Sequence, residues 1–384
     1  MQHSNIVGQE RVVHTLKRTL VSGRVAHAYI FHGPDGVGKK AAAFALARAL
    51  QCVSLVDGEA CNVCGPCSKA LKGLHPDIHV LMPTTNDATH DDISARLMAL
   101  VQDPYVIVDF QRRPTLDGTA TSSNKQVYYS VEMVNESLRR PMSFHRVEGE
   151  YRVGIILDAD KMKTEASNAF LKLLEEPGSK TVFILTTDRI DHILPTILSR
   201  CQQMRFDTLS VAEITEALIQ RDLVDERSGP VIARMADGSL SRALDLAGSE
   251  ELPLVRDEVL SFLRLSFQGR GDVVTSAVDS LSSMGREHTK FFLLVMLGIL
   301  RDLFLLSGAQ STELIVNVDQ IETLSKFVGN LPDARIDYMI EAVEQVSYLL
   351  ERNVNTRLAL IALSRVLSNA MRGDRAEIAL SLAS

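Results

Sequence analysis

At 384 residues the chain has room for about two to three domains, and 46% hydrophobic with 23% charged residues is ordinary composition for packed globular cores. A formal net charge of −7 excludes a protein that coats nucleic acid through an overall basic footprint, and leaves only a local basic face or contacts shared with partners. The longest apolar run, Phe291 to Leu300, is closed by Arg301 and Asp302, well short of the roughly 20 residues a bilayer span needs, and reads as a buried helix.

The opening residues, Met1 to Asn5, have no basic stretch leading into an apolar one, so no secretory signal is read there and a cytoplasmic location without membrane contact is expected. Ile30-Phe31 reads as a short strand. A glycine turn follows, then an alanine- and leucine-rich helix from Ala41 to Leu50. The turn, Gly33-Pro34-Asp35-Gly36-Val37-Gly38-Lys39-Lys40, has the G-x-x-x-x-G-K spacing of a phosphate-binding loop. Gly33, Gly36 and Gly38 would let backbone N–H groups close around a phosphate, and Lys39 would reach its oxygens. The next position should be Ser or Thr, whose hydroxyl ligates Mg²⁺, but here it is Lys40. An ammonium repels the cation, so the cradle is present without its magnesium hook.

Four of the five cysteines follow as Cys52-x8-Cys61-x2-Cys64-x2-Cys67. In a cytoplasmic setting disulfides are disfavoured. Thiolates two residues apart can bend round one ion, with Gly65-Pro66 supplying a turn, and the natural occupant is a structural, tetrahedral Zn²⁺ with no open position for catalysis. Two alternatives stay open. The cysteines could be reduced and partly buried without metal, or hold an iron–sulfur cluster, although the last Cys of the C-x2-C-x2-C-x3-C-P run is missing.

Further strands fit Ile78 to Leu81, Val153 to Leu157 and Val182 to Leu185, with a helix over Ala166 to Leu174 between the last two, so strands alternate with helices and a parallel α/β sheet is expected. The polar stretch at about 84–126 reads as an insertion, with a helix from Asp91-Asp92 to Gln102 and a mobile tip over Thr115 to Asn124. Residues 1–205 form this α/β domain, 206–250 a small helical unit, and 251–384 an all-α domain of five or six helices. His75, His79 and His90 show no ligand spacing outside the cysteine module and read as loop or surface histidines.

Several segments converge on one family. Val7-Gly8-Gln9, His27-Ala28-Tyr29, the glycine loop, the cysteine module, Ser167 to Pro177 and Ile197-Leu198-Ser199-Arg200-Cys201 together resemble a bacterial sliding-clamp loader subunit of the AAA+ group of DNA polymerase III, related to replication factor C. The resemblance implies a RecA-like domain, a helical lid and a C-terminal helical collar. It also implies a hetero-pentamer with gamma/tau and delta subunits, which meets the sliding clamp and primer-template DNA through the complex. Within the family, the branch whose own ATP site is degenerate, delta-prime, fits better than the ATP-hydrolysing gamma/tau branch. Lys40 is one departure. The other lies past Val153-Gly154-Ile155-Ile156, where Leu157 stands at the magnesium-holding Asp and Asp158 at the catalytic Glu. Without either anchor, Mg-ATP binding and intrinsic ATPase activity are not expected.

Ser241 stands where active relatives often carry a nucleotide-sensing arginine, with Arg242 displaced by one, either turned away or an ordinary surface arginine. The resemblance gives Arg200 the role of an arginine finger acting on a neighbour's ATP. The plainer alternative is a pairing with a nearby carboxylate. Leu173-Leu174-Glu175-Glu176-Pro177 is either a helix ending before Pro or a subunit contact. Cys201 reads as packing. The rivals are an active gamma/tau-like ATPase that tolerates Lys40, and a zinc-dependent binding module outside any clamp loader.

Overall fold

The computed structural model describes residues 6–116, 125–226, 228–248, 251–308, 315–317, 320–352 and 354–374. They divide into two compact units. One takes in the chain to Leu223 plus Ala236–Asp245, and the other Val224–Met235 plus Leu246 onward.

The first unit is built on five parallel strands: β1 Ala28–His32, β2 Ile78–Leu81, β3 Arg152–Ile156, β4 Thr181–Thr187 and β5 Gln202–Arg205, in the order β2-β3-β4-β1-β5. β4 is buried at every residue, which is why Thr181-Val182-Phe183-Ile184-Leu185-Thr186-Thr187 reads as a continuous run instead of an alternation. The β5 edge was not anticipated. Its Gln202-Gln203-Met204-Arg205 buries only Met204, so an edge strand with polar faces carries no apolar signature.

Helices cover the sheet. Glu10–Ser22 buries Val12, Leu16 and Leu20 at one-turn spacing and ends at Gly23, whose φ of 66° suits glycine. Lys39–Gln51 is buried along almost its whole length, which its run of alanines permits. Thr164–Glu175 turns Ala166, Phe170 and Leu174 inward, and Phe170 meets Phe183 of β4 edge-on with ring centroids 5.4 Å apart. The expected strand at Val153 to Leu157 ends one residue earlier.

The insertion carries the expected helix, His90–Gln102. Thr89 Oγ1 accepts from Asp92 N at 3.2 Å and Asp92 Oδ2 from Thr89 N at 3.1 Å, closing a capping box. The expected mobile tip lies, from Asp117 to Asn124, outside the described residues. A further helical run, Val131–Val134 and Arg140–Ser143, is joined by a π turn over Asn135–Arg139 just before Pro141, whose ring crowds a tight α turn.

The second unit is helical. Ser228–Met235 belongs to it, with Glu251–Gln268, Gly271–Ser283, Arg286–Ser307, Ile321–Asn330, Ile336–Glu351 and Thr356–Met371, while Val211–Ile219 lies in the sheet unit. The apolar run from Phe291 sits in Arg286–Ser307 and buries Phe292, Leu293, Met296, Ile299 and Leu300. No helix among the described residues is long and apolar enough to cross a membrane.

Candidate phosphate loop, cysteine cluster and arginine

β1 delivers the chain into the glycine loop, and Lys39 opens the helix behind it. Gly36 and Gly38 have φ of 75° and 105°, and a Cβ on Gly38 would stand 2.9 Å from the Tyr105 hydroxyl, so neither backbone conformation nor space admits a side chain. Lys39 is buried, and its Nζ donates to Gly33 O at 2.7 Å and to Pro34 O. The ammonium that would grip a phosphate is folded onto the loop's own carbonyls. Burial pushes the Lys39 pKa below its usual range, against the attraction of Asp35, Asp188 and Asp158.

Lys40 points the other way. Its Nζ lies 3.1 Å from Asp158 Oδ2. Burial opposes its charge, but Asp158 and Asp35 more than offset that and hold the pKa above the ordinary lysine value. Leu157, just past β3, is buried, and its carbonyl accepts from the Tyr129 hydroxyl. Asp160 accepts from Thr187 Oγ1 at 2.8 Å, and burial raises its pKa.

The middle of the insertion closes over this loop. Arg112 Nη1 donates to Asp35 Oδ2 at 2.8 Å, and the buried Tyr105 hydroxyl accepts from Val7 N at 3.1 Å. Arg96 holds the strap that carries both residues. It donates to Val108 O at 2.5 Å and Pro114 O at 2.8 Å, and lies 3.8 Å over the Phe110 ring. Ser241 is buried beside the loop, with its N–H toward Gly36 O at 3.4 Å, while Arg242 is exposed. The space left between Asp35, Gly38, Lys40, Tyr105, Arg112 and Ser241 is about 20 Å³, enough for about one water, where a small-molecule pocket takes several hundred.

Cys52 closes the Lys39–Gln51 helix, and Cys67 lies in the helix Gly65–Leu71. The Sγ atoms of Cys52, Cys61, Cys64 and Cys67 all lie within 4.8 Å of one another. Four sulfurs at 2.3 Å from one Zn²⁺ would stand about 3.8 Å apart, so the set fits a tetrahedral shell with little movement. Cys52 Sγ accepts from Cys61 N at 3.2 Å and Ser54 N at 3.4 Å. The N–H groups of Val63 and Cys64 hold the Cys61 thiol down to about 6, while burial and neighbouring thiols push Cys67 up. Cys201 is apart from this set and packs beside the sheet core, its thiol raised to about 12 by burial. His75 does sit in a loop but is buried, and its Nδ1 accepts from Asp77 N at 3.1 Å; His79 is a correction, since it lies half-buried in β2 and not in a loop.

Arg200 lies between the single-turn helix Pro195–Leu198 and β5. Its Nη2 meets Glu175 Oε1 at 3.1 Å and its Nη1 donates to Thr196 O at 3.0 Å, with both side chains more than one-third exposed. In the single chain the carboxylate pairing is therefore present. Sequence reasoning missed Tyr105, Arg112 and Arg96, because nothing local marks a strap that closes over a loop some 70 residues earlier. It also missed Arg48, a charge set in the otherwise apolar run Ala41 to Leu50 one turn before Cys52.

The sequence model of the family described as "DNA polymerase III, delta subunit" matches residues 8–210. "DNA polymerase III subunit delta'" of Bacillus subtilis (strain 168) is 27% identical over 354 residues, covering 91% of this chain and 93% of the relative. "DNA polymerase III subunit tau" of Escherichia coli (strain K12) is 27% identical over 318 residues, covering 77% of this chain and 43% of that one. The solved structure of a gamma subunit-related protein from Thermotoga maritima aligns with 93% of this chain and 99% of its own, at 13% identity and a TM-score of 0.43.

Proposed function

The chain belongs to the DNA polymerase III delta-subunit family, within the AAA+ clamp-loader group related to gamma/tau, and from that premise we propose that it is a delta-prime-like subunit that does no ATP hydrolysis of its own. It acts in a hetero-pentamer with gamma/tau and delta, which loads the sliding clamp on primer-template DNA. Residues 1–205 serve as the AAA+ sheet domain, 206–250 as its lid and 251–384 as the collar that joins the ring. The four cysteines hold one structural Zn²⁺, which ties the 52–67 module to the sheet domain and supplies rigidity without an open site for chemistry.

The observation that carries this reading is the disposition of the two loop lysines. Lys39 lies on the Gly33 and Pro34 carbonyls, as the loop lysine can without a phosphate to hold, but Lys40 is paired with Asp158, so a cation attached to the chain stands where magnesium would be held. Leu157 offers no carboxylate to a metal, and Asp158, the next acid, is neutralised. Arg200 meets the opposite condition. An exposed pair with Glu175 is worth at most about 1 kcal/mol, so a neighbour's γ-phosphate can draw the guanidinium away. In trans such an arginine contributes about 10³ to 10⁵ in rate.

The test is a pair of variants in the reconstituted complex. Arg200→Ala is expected to leave assembly intact and depress DNA-stimulated ATP hydrolysis and clamp loading, with Arg200→Lys restoring little, because a point charge does not reproduce the planar fork. Lys39→Ala is expected to change loading only slightly. A silent Arg200→Ala with a crippled Lys39→Ala would make this subunit a gamma/tau-like motor.

A further inference from the structure

Arg48 is only 4% exposed, on a helix face shared with Phe44, Ala47 and Gln51. Its Nε and Nη2 are buried without a hydrogen-bond partner. A guanidinium keeps its charge at any ordinary pH, so a buried one with unmet donors needs an acceptor that the polypeptide alone has not provided.

Its position says which. Arg48 stands one turn before Cys52, and side chains at the end of a helix lean back toward its N-terminus, so Cys52 is directed over Arg48. The same helix packs on Gly65–Leu71, which carries the buried Cys67. The groups near Arg48 able to carry negative charge are Cys67, Cys52 and Glu59. Glu59 is already engaged by Lys17 at 2.6 Å. The sulfurs remain.

We infer that Arg48 is the counter-ion of the four-cysteine metal centre, its buried N–H donors serving the Cys52 and Cys67 thiolates once Zn²⁺ is bound. The inference rests on the zinc reading above. Four thiolates around one Zn²⁺ carry a net charge of −2. The backbone N–H groups of Ser54 and Cys61 on Cys52 Sγ bring dipoles to that centre, whereas Arg48 brings a full positive charge from the protein side. The same residue makes the metal-free protein worse, because with neutral thiols only Glu59, itself paired with Lys17, is left to offset its buried charge.

Metal affinity and metal-free stability should therefore move in opposite directions on Arg48→Met, which keeps the bulk and removes the charge. Full-length wild type and Arg48→Met are loaded with Zn²⁺, competed against a chromophoric chelator, then stripped and melted. The expected result is a 10- to 100-fold loss of Zn²⁺ affinity in Arg48→Met, a stripped protein that melts no lower than stripped wild type, and partial recovery of affinity in Arg48→Lys. Unchanged affinity overturns the assignment, as does an equal fall in melting temperature with and without metal, which would mark a packing role. Arg48 also borders a solvent-open cavity of about 270 Å³ lined by Leu71, His75, Met98 and Val101. If inorganic phosphate raises the melting temperature of the loaded wild type and Arg48→Met abolishes that rise, the missing acceptor belongs in the cavity and the assignment fails. Wild type that takes up no Zn²⁺ at all would remove the zinc reading itself, and the inference with it.

Discussion

At the scale of single residues, Lys40 pairs with Asp158, in the proposed reading, in place of a metal ion. A hydrolysing site keeps a hydroxyl and a carboxylate free for Mg²⁺, whereas here the cation is covalently attached and 3.1 Å from the acid. Lys40→Thr is expected to lower stability by about 1–3 kcal/mol, since it strands a partly buried carboxylate. It should not create ATPase activity, because Leu157 and the closed strap remain; steady Mg-ATP turnover by the isolated variant would count against the degenerate-site reading. A second carboxylate gives a pH test. Asp77 is buried and accepts from the N–H groups of Val147, Glu148 and Gly149 at 2.8, 3.0 and 2.7 Å. Burial alone would raise its pKa, but those donors outweigh burial and hold it below the usual carboxylate range. A depressed folded pKa means the stabilisation is complete above the unfolded value of about 3.9 and disappears as pH falls through the folded one. Asp77→Asn should then cost about 1–3 kcal/mol in urea unfolding at pH 7, with the gap to wild type closing as pH falls below the unfolded value and through the depressed folded one. A gap that stays constant across that range would mean the charge of Asp77 does not matter.

Among the elements, the strap from Tyr105 to Pro114 decides whether the glycine loop is a site or a filled space. It has no regular secondary structure of its own, and Arg96 supplies what a sheet ladder would otherwise supply by donating to two of its carbonyls. Arg96→Ala should cost about 2–4 kcal/mol, as those carbonyls lose charged donors. Amide exchange should rise over residues 105–113 before it rises in β1 or β4. Uniform exchange across the sheet unit would mean that the strap is not a separate element. The same strap marks the limit of what the sequence discloses. β1, β2 and β4, the Thr164–Glu175 helix and the Asp92 helix start were legible because apolar periodicity and capping act over a few residues. The glycine loop and the cysteine set were legible for a similar reason, since their spacing is itself the chemistry. The Lys40–Asp158 and Arg112–Asp35 pairs join residues 118 and 77 apart, and β5 is specified by its place beside β1, not by its composition. The Glu10–Ser22 helix had a readable stripe, Val12, Leu16 and Leu20, that the motif reading passed over.

For the whole molecule, the chain path matters more than the order of domains along it. The backbone passes between the two units three times, after Leu223, Met235 and Asp245, so the helix Ser228–Met235 is sequence from the middle of the chain that completes the C-terminal unit. Val231, Ile232 and Ala233 are buried there, and Arg234 Nη1 donates to Ile315 O at 2.8 Å. A chain cut after Ser249 therefore keeps a complete five-stranded sheet but loses the surface against which Ser228–Met235 is buried. It should fold, since β1 to β5 and their helices all precede the cut, and should bind a dye for exposed apolar surface more strongly than the full chain does, as a short amphipathic helix is left without its partner. If residues 251–384 are the collar, the fragment should also fail to co-elute with gamma/tau and delta subunits, while the full chain joins them. These two readouts separate the possibilities. A folded, dye-binding fragment that still enters the complex would place the assembly contacts in the sheet unit, and a fragment that does not fold at all would mean that the two units are one cooperative body.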